Sequence, residues 1–221
     1  MAKKKSKKVS STEGAGEGET GSNKGNNAVK STAKLFTTLQ EKGAAWYGRE
    51  REGIAAIERF QSALLALRAA QAAADNRVHE KEKKSVVLAG LAGNADIDPW
   101  LAEDLYEQVH GLSSGFEELL EDMYTLQEEA RDIVLNSSDE GDKLDVTELR
   151  AVDYLQMISQ ELATFEAEYQ HIEALLQLIS FETSTDELRT LVISWSTSPF
   201  LDPAQTSMFR QRHQLSQQLH E

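Results

Sequence analysis

Three stretches between Thr32 and Phe181 repeat apolar residues at alternating spacings of three and four. The first carries Leu35, Leu39, Trp46, Ile57, Phe60, Leu64 and Leu67. The second carries Leu101, Leu105, Val109, Leu112, Phe116, Leu119, Met123, Leu126, Ala130 and Ile133, and the third Leu155, Ile158, Leu162, Phe165, Tyr169, Ile172, Leu176 and Ile179. A period near 3.6 gathers each set on one face of a long helix, and a face of that length must be covered by other helices. The chain is therefore expected to be all-α: an elongated antiparallel bundle of three long helices over residues 31–197, followed by an extension over 198–221.

Turn chemistry sets the expected boundaries. The first helix is placed from Ser31 or Thr32 to about Ala74, with Gly43, Gly48 and Gly53 each weakening it by about 1 kcal/mol relative to alanine, so that a bend there is anticipated. Its end, Ala69 to Ala74, is rich in small side chains that let a partner helix approach closely. Residues 75–97 read as a connector, wet at first and packing on the bundle at Val86, Val87, Leu88 and Leu91. Asp98 as N-cap and Pro99 at the first helical position open the second helix, which runs to about Leu135. Asp145 with Glu148 three residues on, flanked by Leu144 and Leu149, suggests a capping box and hydrophobic staple opening the third helix, which continues to about Phe181. A short helix from Thr185 to Thr197 follows, and Pro203 opens a last, mostly polar one.

The 221 residues include no cysteine, which excludes disulfides, thiolate catalysis and zinc ribbons. No apolar run has the length of a membrane span, so a soluble, non-secreted protein is expected. Charge is divided unevenly. Residues 1–30 hold seven lysines against Glu13, Glu17 and Glu19, or +4, so the remainder carries −18 of the net −14. Phosphate backbones and anionic lipid are repelled by such a body, which argues against direct nucleic-acid binding by the folded part. The first thirty residues offer almost nothing to bury and read as a disordered tail. Within it Lys3, Lys4, Lys5, Lys7 and Lys8 form a pattern suited to nuclear import or RNA contact, or to simple solubilisation.

No catalytic constellation emerges. Glu107 with His110 and Glu168 with His171 have the Glu-x-x-His spacing of di-iron bundles, but helical phase directs them away from the apolar stripes, so they read as solvated. The turn from Asn136 lacks a glutamate at the twelfth position of a calcium loop, where Thr147 stands, and the glycine-rich Gly14–Gly21 lacks Gly-Lys-Ser/Thr. Metal, cofactor and catalytic residues are accordingly expected to be none, and the chain is read as no enzyme. Trp46, Trp100 and Trp195 each read as filling a gap at a bundle end. The sharper reading is that Leu191 and Trp195, with the following Phe200 and Leu201, anchor a partner.

Several segments resemble the AIRIM-like family, the AAA-ATPase-interacting ribosome maturation factors. Trp46 followed by a helix ending Leu67-Arg68-Ala69-Ala70-Gln71 is similar to that family's first helix, and Asp98-Pro99 with Leu101, Leu105 and Ala130-Arg131-Asp132-Ile133-Val134 to its second. Tyr154-Leu155-Gln156, Tyr169 and Leu175-Leu176 resemble the third, with Trp195 where the family has a tryptophan after that helix. The resemblance implies a non-enzymatic adaptor subunit, cytoplasmic and nuclear. Such a subunit pairs with a second helical protein and docks on an AAA ATPase that recycles assembly factors of the large ribosomal subunit, touching the pre-ribosomal particle only indirectly. The alternative is a structural coiled-coil subunit of a tethering or kinetochore-type complex.

Overall fold

In the computed structural model of the protein the described residues are 19–80, 98, 100–137 and 148–218, with the side chains of the first helix described from 25 to 73. The described residues form six α-helices and no strand: α1 (Glu19–Glu80), α2 (Leu101–His110), α3 (Leu112–Asn136), α4 (Ala151–Gln177), α5 (Thr185–Ser196) and α6 (Pro203–Gln218). The all-helical bundle read from the apolar period is present. The expected three helices of near-equal length are not.

α1 is 62 residues long, roughly 93 Å at 1.5 Å per residue. It begins inside the stretch read as a tail, and the reason lies at Ala28 and Thr32, both buried. Thr32 does not cap a helix start. Its hydroxyl donates to the carbonyl of Ala28 at 2.9 Å, a bond made in the interior of a helix. Residues 1–18, including all five lysines of the basic run, lie outside the described residues, as does the apolar part of the connector.

The helix is unbroken at the glycines, and two of them make room for rings. A Cβ on Gly43 would lie 3.1 Å from Phe165, and one on Gly53 would lie 2.7 Å from the Trp195 indole. Ring burial against bare backbone offsets the intrinsic cost of glycine in a helix. Gly48 has open space around it, and nothing in the structure explains a glycine there.

The expected second helix is divided at Gly111, whose backbone (φ −75°, ψ −8°) stays in the right-handed region. α2 starts at Leu101 rather than Asp98. The Asp98 carboxylate accepts from the Trp100 N–H at 3.0 Å, ahead of the helix, and α2 itself has no side-chain cap. α4 also starts later than expected, at Ala151. The Arg150 N–H donates to the Asp153 carboxylate at 2.9 Å, whereas Asp145 and Leu144 lie outside the described residues. Leu149 of the expected staple is buried. α5 matches its expected range and opens on a reciprocal cap: Ser184 Oγ accepts from Glu187 N–H, and the Glu187 carboxylate accepts from Ser184 N–H at 2.8 Å. These bonds hold the Glu187 carboxyl below the usual carboxylate range.

Contacts give the helix directions. Along α1, Phe60 meets Tyr106, Trp46 meets Phe116 and Lys42 pairs with Asp122, so α2 and α3 run opposite to it. Phe36 meets Tyr154 and Trp46 meets Phe165, so α4 runs alongside α1. The core is a chain of aromatic clusters: Phe60, Tyr106 and Phe181 at one end, then Trp46, Phe116, Phe165 and Trp195, then Phe36 and Tyr154 with His213 of α6. Arg68 ties the turn after α4 to α1 by donating to the carbonyls of Phe181 and Thr183 at 2.8 and 2.9 Å.

Candidate partner interface

The four residues expected to anchor a partner do not form one surface. Trp195 is completely buried and Leu191 nearly so. The indole lies across Gly53 and stacks at 6.1 Å from Phe116, which seals it inside the chain. The physical reason is Gly53 itself, whose missing side chain lets α5 close on α1. Phe200 remains 49% exposed, resting its ring on His171 at 5.7 Å, and Leu201 is half-buried. The anchor reading is thus corrected for Trp195 and Leu191, leaving Phe200 and Leu201 as accessible members. Trp46 and Trp195 fill space in the middle of the core rather than at a bundle end, and Trp100 fills none, being 66% exposed.

That exposed tryptophan marks a second surface. At the start of α2, Leu101 and Leu105 line a groove whose α1 wall is made of Ala55, Ser62, Ala63 and Ala66 together with the charged Glu58 and Arg59, and Trp100 precedes Leu101 in the chain. Small residues at seven- and four-residue spacings put the α1 backbone close to the surface there, and Ala69 and Ala73 extend the same exposed face. A wall of small residues flanked by a charged pair, beside exposed large side chains, is a shape into which another amphipathic helix can pack.

The solvated-face reading of Glu168 is overturned. Glu168 is fully buried, as are Glu161, one heptad earlier on α4, and Glu50 on α1. Glu50 accepts from the Trp46 indole N–H at 3.1 Å and the Ser198 hydroxyl at 3.2 Å. Glu168 accepts from the Phe200 N–H at 3.0 Å, and Glu161 from the Gln40 amide. Burial pushes the Glu50 and Glu161 carboxyls up to about 7 and raises that of Glu168. One oxygen each of Glu161 and Glu168 finds no hydrogen-bond donor. Sequence reasoning missed this trio because a glutamate on the flank of an apolar stripe looks the same whether it meets water or a turn from elsewhere in the chain.

The other Glu-x-x-His pair is separated by its surroundings. Glu107 is exposed, while His110 stacks on Tyr106 and lies 3.3 Å from the Ile179 carbonyl. Among the described residues no three His, Asp or Glu side chains are placed to hold a metal ion, and no helix is long and apolar enough to cross a membrane. Compared with protein-family models, with characterised proteins and with solved structures, the chain matches none.

Proposed function

We propose that the protein is a non-enzymatic helical adaptor, an elongated antiparallel bundle that receives a helix of a second protein in the groove between α1 and α2. The observation that carries this reading is the groove of small residues on α1, flanked by Glu58 and Arg59 and lined by the exposed Leu101, with the exposed Trp100 next to it in the chain. A second helix laid there buries an exposed aromatic against small side chains, the usual energetic centre of such contacts. The resemblance of the α1, α3 and α4 segments to AAA-ATPase-interacting ribosome maturation factors supplies the identity proposed for the larger assembly. In that assembly the protein and its helical partner dock on an AAA ATPase acting in maturation of the large ribosomal subunit.

The test uses the tagged full-length chain with Ala66→Glu and, separately, Trp100→Ala. Both residues are exposed, so the fold is expected to persist by circular dichroism while an AAA ATPase and a second helical subunit cease to co-purify. Full retention of both partners by the folded variants would overturn the groove reading. Recovery of membrane-tethering or microtubule factors in place of an ATPase would favour the coiled-coil alternative, for which the 62-residue length of α1 speaks.

A further inference from the structure

α6 is fastened to the bundle unlike any other helix. Of its large apolar side chains only Phe209 is buried, while Met208 and Leu215 are about half exposed. Its other inward positions are polar, His213 and Ser216. The His213 ring lies between the Tyr154 hydroxyl, 3.0 Å from Nδ1, and the Thr37 hydroxyl, 3.4 Å from Nε2, with Phe36 against its face. Ser216 Oγ accepts the Leu149 N–H, and the Arg210 guanidinium donates to Gln40 on α1. Leading into the helix, Ser198 is the one non-glycine residue with positive φ among the described residues, at 39°, a conformation held by its surroundings.

Those surroundings are the three buried glutamates. Glu50 and Glu168 grip the turn at Ser198 and Phe200, and Glu161 sits beneath the first half of α6 beside Thr206 and Arg210. We propose that α6 and its entry turn form a proton-gated latch: neutral glutamates at 50, 161 and 168 keep it closed on α1 and α4, and their ionisation lets it lift and uncover Phe36 and Tyr154.

Every charged or titratable neighbour bears on the direction. Glu50 faces Glu168 across the α1–α4 seam, so the two charges oppose each other. Arg210 favours the charged form of Glu161, and His171 that of Glu168, yet burial outweighs both. Tyr47, facing all three acids, is itself raised and stays neutral. A carboxyl whose closed-state value stands near 7 and whose free value is 4.5 contributes stability fully present below 4.5 and lost as pH rises through 7. His213 works in the opposite sense. Burial lowers its pKa, so the stability it contributes is present above its ordinary 6.5 and lost only as pH falls.

Between pH 6.5 and 8 lifting should become roughly fourfold easier for each of Glu50 and Glu161, about fifteenfold for the pair, offset by at most about twofold from His213, which is half protonated at pH 6.5 once freed. Hydrogen exchange on the full-length protein, corrected for intrinsic rates, is expected to show that loss in the α6 amides with little change in α4. In E50Q/E161Q the loss should shrink to the share left by Glu168; if that variant does not fold, E161Q alone should remove Glu161's share, about fourfold. Because the chain has no native cysteine, spin labels at Met208→Cys and Glu41→Cys give a second readout, a longer distance population growing with pH. Equal α6 protection at pH 6.5 and 8, loss shared equally by α4, or unchanged pH dependence in the glutamine variants would each overturn the latch.

Discussion

α5 and α6 lie against the same two long helices, yet α5 is held by a ring on bare backbone and α6 by amide, hydroxyl and carboxyl groups. The Trp195 indole fills the space that Gly53 leaves, and Leu188 and Leu191 complete an apolar seam. That seam contains little that titrates. Across the α6 seam sit Glu161, His213 and Ser216, with Glu50 and Glu168 under its entry turn. Apolar burial is insensitive to pH and costly to disturb, whereas buried carboxyls make stability a function of proton concentration. Two neighbouring helices of similar length can thus be permanent and conditional parts of one bundle.

The sharpest break in this contrast is Trp195→Ala. Removing a fully buried indole at the α1–α5 contact should destabilise the protein by about 3–5 kcal/mol, measured by denaturant unfolding. The cost should be the same at pH 6 and pH 8. A loss below about 1 kcal/mol would mean that α5 is not part of the permanent core.

Glu161→Gln probes the other seam. At pH 8 the wild-type carboxyl is ionised in a buried position, so the glutamine variant should be the more stable by about 1–3 kcal/mol, a range set by a rise from 4.5 to about 7. Towards pH 4.5 the two proteins should converge, because the acid is then neutral in the folded state and increasingly so in the unfolded one. A variant less stable than wild type at pH 8 would show that the Gln40 and Arg210 contacts, not desolvation, dominate.

The difference between these seams also separates what could be read in the sequence from what could not. Ile158, Leu162, Phe165, Ile172, Leu176 and Ile179 are all buried as their spacing requires, since a helix's inward face is a local property. Trp46 was legible for the same reason. Gly43 and Gly53 were misread as weak points, because a glycine's intrinsic cost is written in the chain while the ring that compensates it comes from residues over a hundred positions away. The burial of Glu168 depended on the Phe200 N–H, brought in by a turn with no sequence signature. The groove was not legible: the close-approach surface was expected at Ala69 to Ala74, whereas the groove is lined by Ala55 to Ala66, and its α2 side depends on how α2 begins.

Gly53→Ala sharpens the comparison from the opposite partner. Alanine is the better helix former by about 1 kcal/mol, so an exposed glycine would gain from the change. Here the new methyl would stand 2.7 Å from the indole, and overpacking of this kind costs about 1–3 kcal/mol. The net expectation is a loss of up to about 2 kcal/mol, with Trp195 fluorescence shifted as the ring moves. Gly48→Ala, with nothing within 4 Å, should instead be neutral or stabilising. Opposite signs at two glycines five residues apart would confirm that the seam, not helix propensity, sets the requirement.

The smallest expected effect on stability is at Phe200→Ala, and it tests whether the α6 seam depends on side-chain burial at all. The ring is half exposed and lies against His171, so truncation should cost less than about 0.5–1 kcal/mol in global unfolding. The bond that fastens the turn runs from the Phe200 backbone N–H to Glu168, and alanine keeps that N–H. α6 should therefore retain its hydrogen-exchange protection and its pH dependence in this variant. Phe200→Pro removes the same N–H and also disturbs the turn closed by the Leu201 N–H on the Ser198 carbonyl, without changing α6 itself, and it should free α6 at pH 6.5, where the wild type is closed. If alanine opened α6 as readily as proline, the grip would lie in the ring, and α6 would belong with α5 among the parts held by apolar contact.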